Sequence, residues 1–393
     1  MPTSYKILGW IGLSQALVLL LNGCGGGGVE GTAGTTPKSE TLAVIANIST
    51  NFDSSEISIA SAVSPYDVEE GYAGSDKSDI AVAVWGDYFY RLGKFGQDNI
   101  TKYSFDRPGG VPEWQVSTND PGKSLSNPYD ILFVSETKAY VLRYGASSIW
   151  VVNPSDPEDF KIKEIDLSHY DDDGVPEMSA GVIVNGRLYV AMQRMDSTFA
   201  PDEAYVAVIN TATDKEVNTF TDDAHYGIKL SIKNPHKLVA MDGFVYVVGS
   251  GRYATSSTPP DYTGGIEKIN TSNYTHTQII DDDLGTDHPY GLITDMAIVS
   301  STVGYFKGST GYKDDTLYRF DPSTGATYKS FIPGTSNTNL RALAVSPSGE
   351  IWIGIGGDNP GLVIASVVTE QRKKTIPVNK DPAQIVFIKV EKN

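Results

Sequence analysis

The sequence predicts an all-β fold, a closed seven-bladed propeller. Three observations predict it: strand-like runs recur about every fifty residues, helical periodicity is almost absent after residue 40, and two tail segments complete one another. Composition sets the outer limits. At 393 residues with 40% hydrophobic and 20% charged side chains, the chain is neither disordered nor a multi-span membrane protein. Its 31 Lys and Arg stand against 48 Asp and Glu, a net charge of -17. That balance argues against nucleic acid, whose phosphates demand a cationic face, and makes a charged partner a cation. One cysteine leaves no intramolecular disulfide, multi-cysteine zinc site or haem attachment.

The amino end comes first. Lys6 precedes an apolar run from Ile7 to Leu21, broken by Gly9, Ser14 and Gln15. A helix needs about 20 apolar residues to cross the hydrocarbon core, so this shorter run reads as a signal-peptide core that is removed. The single cysteine stands where the run ends, and Leu21-Asn22-Gly23-Cys24 resembles the bacterial lipobox of Leu, small, small, Cys; Asn22 departs from its usual small residue. That resemblance implies cleavage before Cys24 and lipid attachment to its sulfur, with Gly25 favouring the outer membrane. The expected divisions are a signal peptide at 1–23, a lipidated Gly-rich tether at 24–40 and one domain at 41–393.

The repeat supplies the next elements. Strands reading YRLGK, YVLRY, YVAMQ, YVVGS, YFKGS and WIGIG place an aromatic at Tyr90, Tyr140, Tyr189, Tyr246, Tyr305 and Trp352, expected to be core. Before each lies an apolar run (IAVAVW, DILFV, AGVIV, KLVAM, DMAIV, RALAV), and after most comes a run closed by a polar turn, such as IWVVNPSD or VAVINTATD. A more polar fourth strand follows, as in KIKEIDL, KEVNTF, HTQII, TYKSFI and KKTIPV. Four strands per unit at this period is the pattern of propeller blades. Six units fall at about 79–117, 129–167, 178–221, 236–282, 290–333 and 340–378. The leftover DPAQIVFI matches the start of a unit, and TLAVIANIS with SSEISIAS its later strands. Joined, they form a seventh blade that removes the open edges of an unclosed ring.

The turns Asn127-Pro128-Tyr129-Asp130, Asn234-Pro235-His236-Lys237, His288-Pro289-Tyr290-Gly291 and Asp381-Pro382, with the YV strands, resemble those of bacterial propellers of YncE or YVTN-repeat type. The resemblance covers residues 41–393 and implies the fold, with ligands taken on the face of the blade-to-blade loops. It does not fix an activity.

Those loops, assigned to 60–79, 117–130, 168–178, 221–237, 281–291, 332–341 and 378–382, carry 18 Asp and Glu against 7 Lys and Arg. Two acidic runs stand out as the candidate binding surface. One is Asp171, Asp172 and Asp173 with Glu177; the other is Asp281, Asp282 and Asp283 with Asp287 and His288. Alternate oxygens of an extended run suit a hard cation, so Asp171, Asp173 and Glu177 are the candidate ligands of a Ca²⁺ ion. The run fails the EF-hand pattern, because Pro176 and Val182 hold the glycine and glutamate positions. Solvated acidic loops are the plainer reading.

The first functional expectation is a lipid-anchored, non-catalytic binding or scaffold protein of the outer membrane, holding a cationic protein, peptide or metal ion on this face. The alternative is a hydrolase or lyase. No G-x-S-x-G or H-E-x-x-H is present. Streptogramin lyases share the ring and use a histidine with a metal, a likeness that puts His288 beside Asp287 in that role. This second reading requires His225, His236 or His288 to meet carboxylates within about 3 Å.

Overall fold

The structure is a computed structural model that describes residues 5–6, 38–107, 109–222 and 224–392. Cys24 and almost all of the expected signal segment lie outside the described residues. Seven antiparallel sheets form one ring, and Ser168–Tyr170 is the only helical turn among the described residues. From the axis outwards, blade 1 runs Ile80–Trp85, Tyr88–Gly93, Asn99–Ser104 and Trp114–Ser117. Blade 2 is Pro128–Ser135, Lys138–Arg143, Ser148–Val152 and Lys161–Asp166. Blade 4 is Pro235–Met241, Phe244–Gly249, Gly265–Asn270 and His276–Asp281, and blade 6 is Leu340–Val345, Glu350–Ile355, Gly361–Ser366 and Arg372–Pro377.

Blades 3 and 5 break the pattern at their outer edge. Blade 3 has Met178–Val184, Arg187–Met192 and Tyr205–Asn210, but the expected strand KEVNTF survives only as Lys215–Glu216, and pairing with the third strand resumes at Ile228–Lys229. Blade 5 has Leu292–Ser300, Val303–Gly311 and Asp314–Phe320, with its fourth strand split into Thr327–Lys329 and Ser336–Thr338.

Blade 7 is stitched from both tails. Asp381–Lys392 pairs with Lys38–Ile48, followed by Ser55–Ser61 and Val68–Ser75, and Tyr5–Lys6 pairs with Glu391 and Lys392 on the other side of Asp381–Lys392. The Val68–Ser75 strand corrects an expectation: 60–79 is not one loop, and Glu69 and Glu70 stand on the outermost strand, not on the loop face.

Second strands read as unbroken apolar runs because both their faces are covered, each blade lying between two others. Seven apolar clusters fill the seven blade-to-blade interfaces. Alternation along the strand decides the direction: Leu188 and Val190 pack back on blade 2, while Tyr189 packs forward on blade 4. Tyr90, Tyr140, Tyr189, Tyr246, Tyr305 and Trp352 are all buried, each in the cluster shared with the following blade. The repeated aromatic is therefore the side chain that docks one blade on the next.

Because strands alternate in direction, the blade-to-blade loops share one face with the turns between second and third strands. Ile48 and Asp381 pair at that face, whereas Lys38 pairs with Lys392 at the opposite one. The chain therefore enters the domain from the far side.

Candidate functional site: the channel mouth and its acidic rim

Inner strands are joined across the channel by the residues that follow the Pro-containing turns. Gln384 of blade 7 accepts from the Val82 N–H of blade 1 at 2.8 Å. Asp130 of blade 2 accepts from the Gly181 N–H of blade 3, and burial pushes its carboxyl up to about 6. Ser179 Oγ donates to Pro235 O at 2.6 Å, joining blades 3 and 4. His236 bridges blades 4 and 5, with Nδ1 3.1 Å from Asn234 O and Nε2 3.0 Å from Thr294 O; its burial lowers the imidazole pKa.

The mouth at blades 4 to 7 holds a dense group of charges that the sequence reading did not single out. Lys237 Nζ donates to Asp295 Oδ1 at 2.6 Å and to Leu343 O at 2.8 Å, while Asp295 Oδ2 accepts from the Leu343 N–H at 2.8 Å. Lys307 donates to Leu340 O at 3.1 Å, and Asp315 Oδ2 accepts from the Leu340 N–H at 2.9 Å. Burial lowers the Lys307 pKa and raises that of Asp315, each held back by the other's opposite charge. Arg341 Nε lies 3.7 Å from Asp381 Oδ2. Across the mouth, Tyr129 stacks on Tyr144 with centroids 4.5 Å apart, Lys94 Nζ sits 4.3 Å from the Tyr129 ring, and Tyr144 donates to Gln193 at 2.8 Å. Tyr290 instead packs edge-on against Phe306 and Tyr318 within blade 5.

The predicted acidic residues divide into two groups. Asp172, Asp173, Asp283 and Asp287 are exposed on the rim, and Asp281 is half-buried at a strand end. The others are structural. Asp171 faces Arg194 Nε at 3.3 Å. Glu177 is buried, accepts from the Met195 N–H at 2.9 Å, and is pushed up to about 7 chiefly by burial, with Asp171 and Asp173 adding to it. Asp282 is fully buried, accepts from the Gly264 N–H at 3.0 Å, and burial likewise raises it to about 7. Among the described residues, no group of three or more His, Cys, Asp or Glu is placed to hold a metal ion. Of the candidate Ca²⁺ ligands, Asp171 faces Arg194 and Glu177 accepts from a backbone amide, while Asp173 is exposed.

Nor, among the described residues, does a candidate histidine bond a carboxylate within about 3 Å. His225 lies among the rings of Tyr170 and Tyr205, His236 bonds two carbonyls, and His288 stacks on Tyr262 with Nδ1 3.6 Å from Asp283 Oδ1. His169 does reach a carboxylate, with Nε2 3.2 Å from Glu216 Oε2, but Glu216 belongs to the outermost strand of blade 3.

Exposed aromatics share the loop face. Phe52, Phe95, Phe199, Tyr253 and Tyr312 each sit in the turn between the second and third strands of a blade, and each is more than half exposed.

No family model matches this sequence, and no curated protein matches it. Solved structures do. A 6-phosphogluconolactonase-like protein of Bacteroides fragilis is similar at a TM-score of 0.59 with 14% identity, covering 89% of this chain and 98% of that one. Another, from Bacteroides uniformis, gives a TM-score of 0.56 with 12% identity, covering 89% and 99%. Apo AztD from Citrobacter koseri gives 0.51 with 12% identity, covering 90% and 98%. At these identities the likeness establishes the propeller fold and nothing finer.

Proposed function

We propose that this chain is a non-catalytic binding protein of the cell envelope that takes a cationic polypeptide on its loop face. One observation carries the reading: exposed carboxylates at Asp172, Asp173, Asp283 and Asp287 share that face with the exposed rings of Phe52, Phe95, Phe199, Tyr253 and Tyr312. Lys and Arg side chains are attracted both to carboxylates and to aromatic faces, and the latter contribute about 0.5–1 kcal/mol at exposed sites. The YncE-like repeat and the lipobox support an envelope setting. Lipidation of Cys24 would anchor the protein to the outer membrane. Because the domain is entered at Lys38 on the opposite face, such an anchor leaves the loop face turned away from the lipid.

Two experiments test this. Cys24→Ala should move the protein from the membrane to the soluble fraction; retention in the membrane would remove the lipid anchor. Pull-down from envelope extracts should recover a basic polypeptide at low salt and lose it at high salt, and the combined change Asp172→Asn, Asp173→Asn, Asp283→Asn and Asp287→Asn should abolish recovery. Recovery unaffected by either salt or these substitutions would overturn the proposed face.

A further inference from the structure

The aromatic that docks each blade on the next is missing from blade 7. Val44 pairs with Val386, two residues after Gln384, just as Tyr140 pairs with Leu132, two residues after Asp130, so Val44 holds the place of the repeated ring. Blade 1 answers from its own side. Phe89, Tyr103 and Phe105 join Val44 in one apolar cluster, the Phe89 ring centroid lying 5.0 Å from that of Tyr103 and 5.6 Å from that of Phe105. Val44 is buried by this reversed packing, and beside Phe105 a cleft of about 580 Å³ opens, within the ordinary size range of small-molecule sites.

The cleft lies on the face opposite the acidic rim, at the end of Lys38–Ile48 where the chain enters the domain. Its lining is lopsided in charge. Glu40, Asp67 and Glu69 contribute to it, and among the described residues no Lys, Arg or His does. Leu42, Ile59, Val63 and Pro65 supply apolar surface, and Tyr72 and Phe105 supply two rings. Tyr72 donates to Glu69; burial, with Glu69 adding to it, pushes the phenol up to about 12, so it stays a neutral donor at physiological pH. Three carboxylates repel an anion and attract a cation, and aromatic faces add an attraction of the same sign. A bare metal ion fits poorly. No three carboxylates among the described residues are grouped to hold one, and apolar walls offer it no oxygen. An ammonium carried on an apolar body uses the carboxylates, the rings and the apolar surface together.

We propose that this cleft between blades 7 and 1 binds a small organic amine, its ammonium facing Asp67 and Glu69 and its apolar body lying against Leu42, Ile59 and Phe105. A lysine side chain of a protein partner presents the same chemistry, and the test separates the two. The intact protein is titrated by calorimetry with phenethylamine, with phenylacetate, with calcium chloride and with Nα-acetyl-lysine amide. Saturable binding of phenethylamine is expected, weakened about tenfold by Asp67→Asn combined with Glu69→Gln, and weakened also by a cation placed at the exposed Val63, Val63→Lys. Binding of acetyl-lysine amide with no binding of phenethylamine would assign the cleft to a protein side chain and overturn the small-amine proposal. So would phenylacetate binding as well as the amine, Ca²⁺ binding more tightly than it, no saturable heat from the amine, or an affinity that these substitutions leave unaltered. Asp67 and Glu69 are exposed, so the double variant should keep the thermal unfolding midpoint of the parent, and a clear fall in that midpoint would show that the two carboxylates serve the fold. None of these residues belongs to the rim. The fourfold rim variant should bind phenethylamine normally, and failure of the cleft would leave the salt-dependent pull-down unaffected.

Discussion

Lys237 and Asp295, 2.6 Å apart, join the inner strands of blades 4 and 5, and both also bond the Leu343 backbone of blade 6. One ion pair thereby fixes three blades around the channel. Removing one partner strands a poorly solvated charge. Lys237→Met should cost about 2–4 kcal/mol in urea unfolding. The double variant Lys237→Met with Asp295→Asn should recover part of that loss, and strictly additive losses would show that the pair is not coupled.

Stability should fall as pH rises from about 4 to about 7. Asp282 and Glu177 have folded-state pKa values pushed up to about 7 by burial, above their ordinary 3.8 and 4.5. Over that interval the folded chain holds more protons than the unfolded one, so each group's contribution is complete below its ordinary value and lost as pH passes its folded value. Asp282→Asn should flatten the dependence by on the order of 1–3 kcal/mol between pH 4 and 8. Parallel wild-type and variant curves would contradict it.

Trp352 docks blade 6 on blade 7, edge-on to Phe387 at 5.4 Å and to Tyr66 at 6.0 Å. Trp352→Ala should cost about 3–5 kcal/mol, measured by denaturant midpoint at constant slope, and Trp352→Phe distinctly less.

Deleting residues 381–393 removes the inner strand of blade 7 and leaves Lys38–Ile48 with an unpaired edge. Loss of the single cooperative unfolding transition is expected in calorimetry, with dye-binding apolar surface exposed. A transition like that of the full chain would mean that closure contributes little.

The ring was legible because each blade repeats one packing problem. Aromatics at near-constant spacing and tails matching complementary parts of a unit were sufficient, without any pairwise contact. Glu69 and Glu70 misled because a polar outermost strand, half exposed along its length, has the composition of a loop. The acidic runs misled in part. Asp282 and Glu177 look like their exposed neighbours, and only the folded chain shows that they accept bonds from backbone amides. The charged mouth left a signal that was passed over: the inner-strand runs KLVAM, DMAIV and RALAV each begin with a charge, Lys237, Asp295 and Arg341. Charged residues opening three successive axial strands lie close enough to answer one another, as Lys237 and Asp295 do.

The pairing of Lys38–Ile48 with Asp381–Lys392 also sets a timetable. During synthesis Lys38–Ile48 emerges more than 330 residues before its partner, so the circle stays open until residues 381–392 have been made. Termination before residue 381 should therefore yield a fragment with an adhesive margin, suited to degradation and not to partial use.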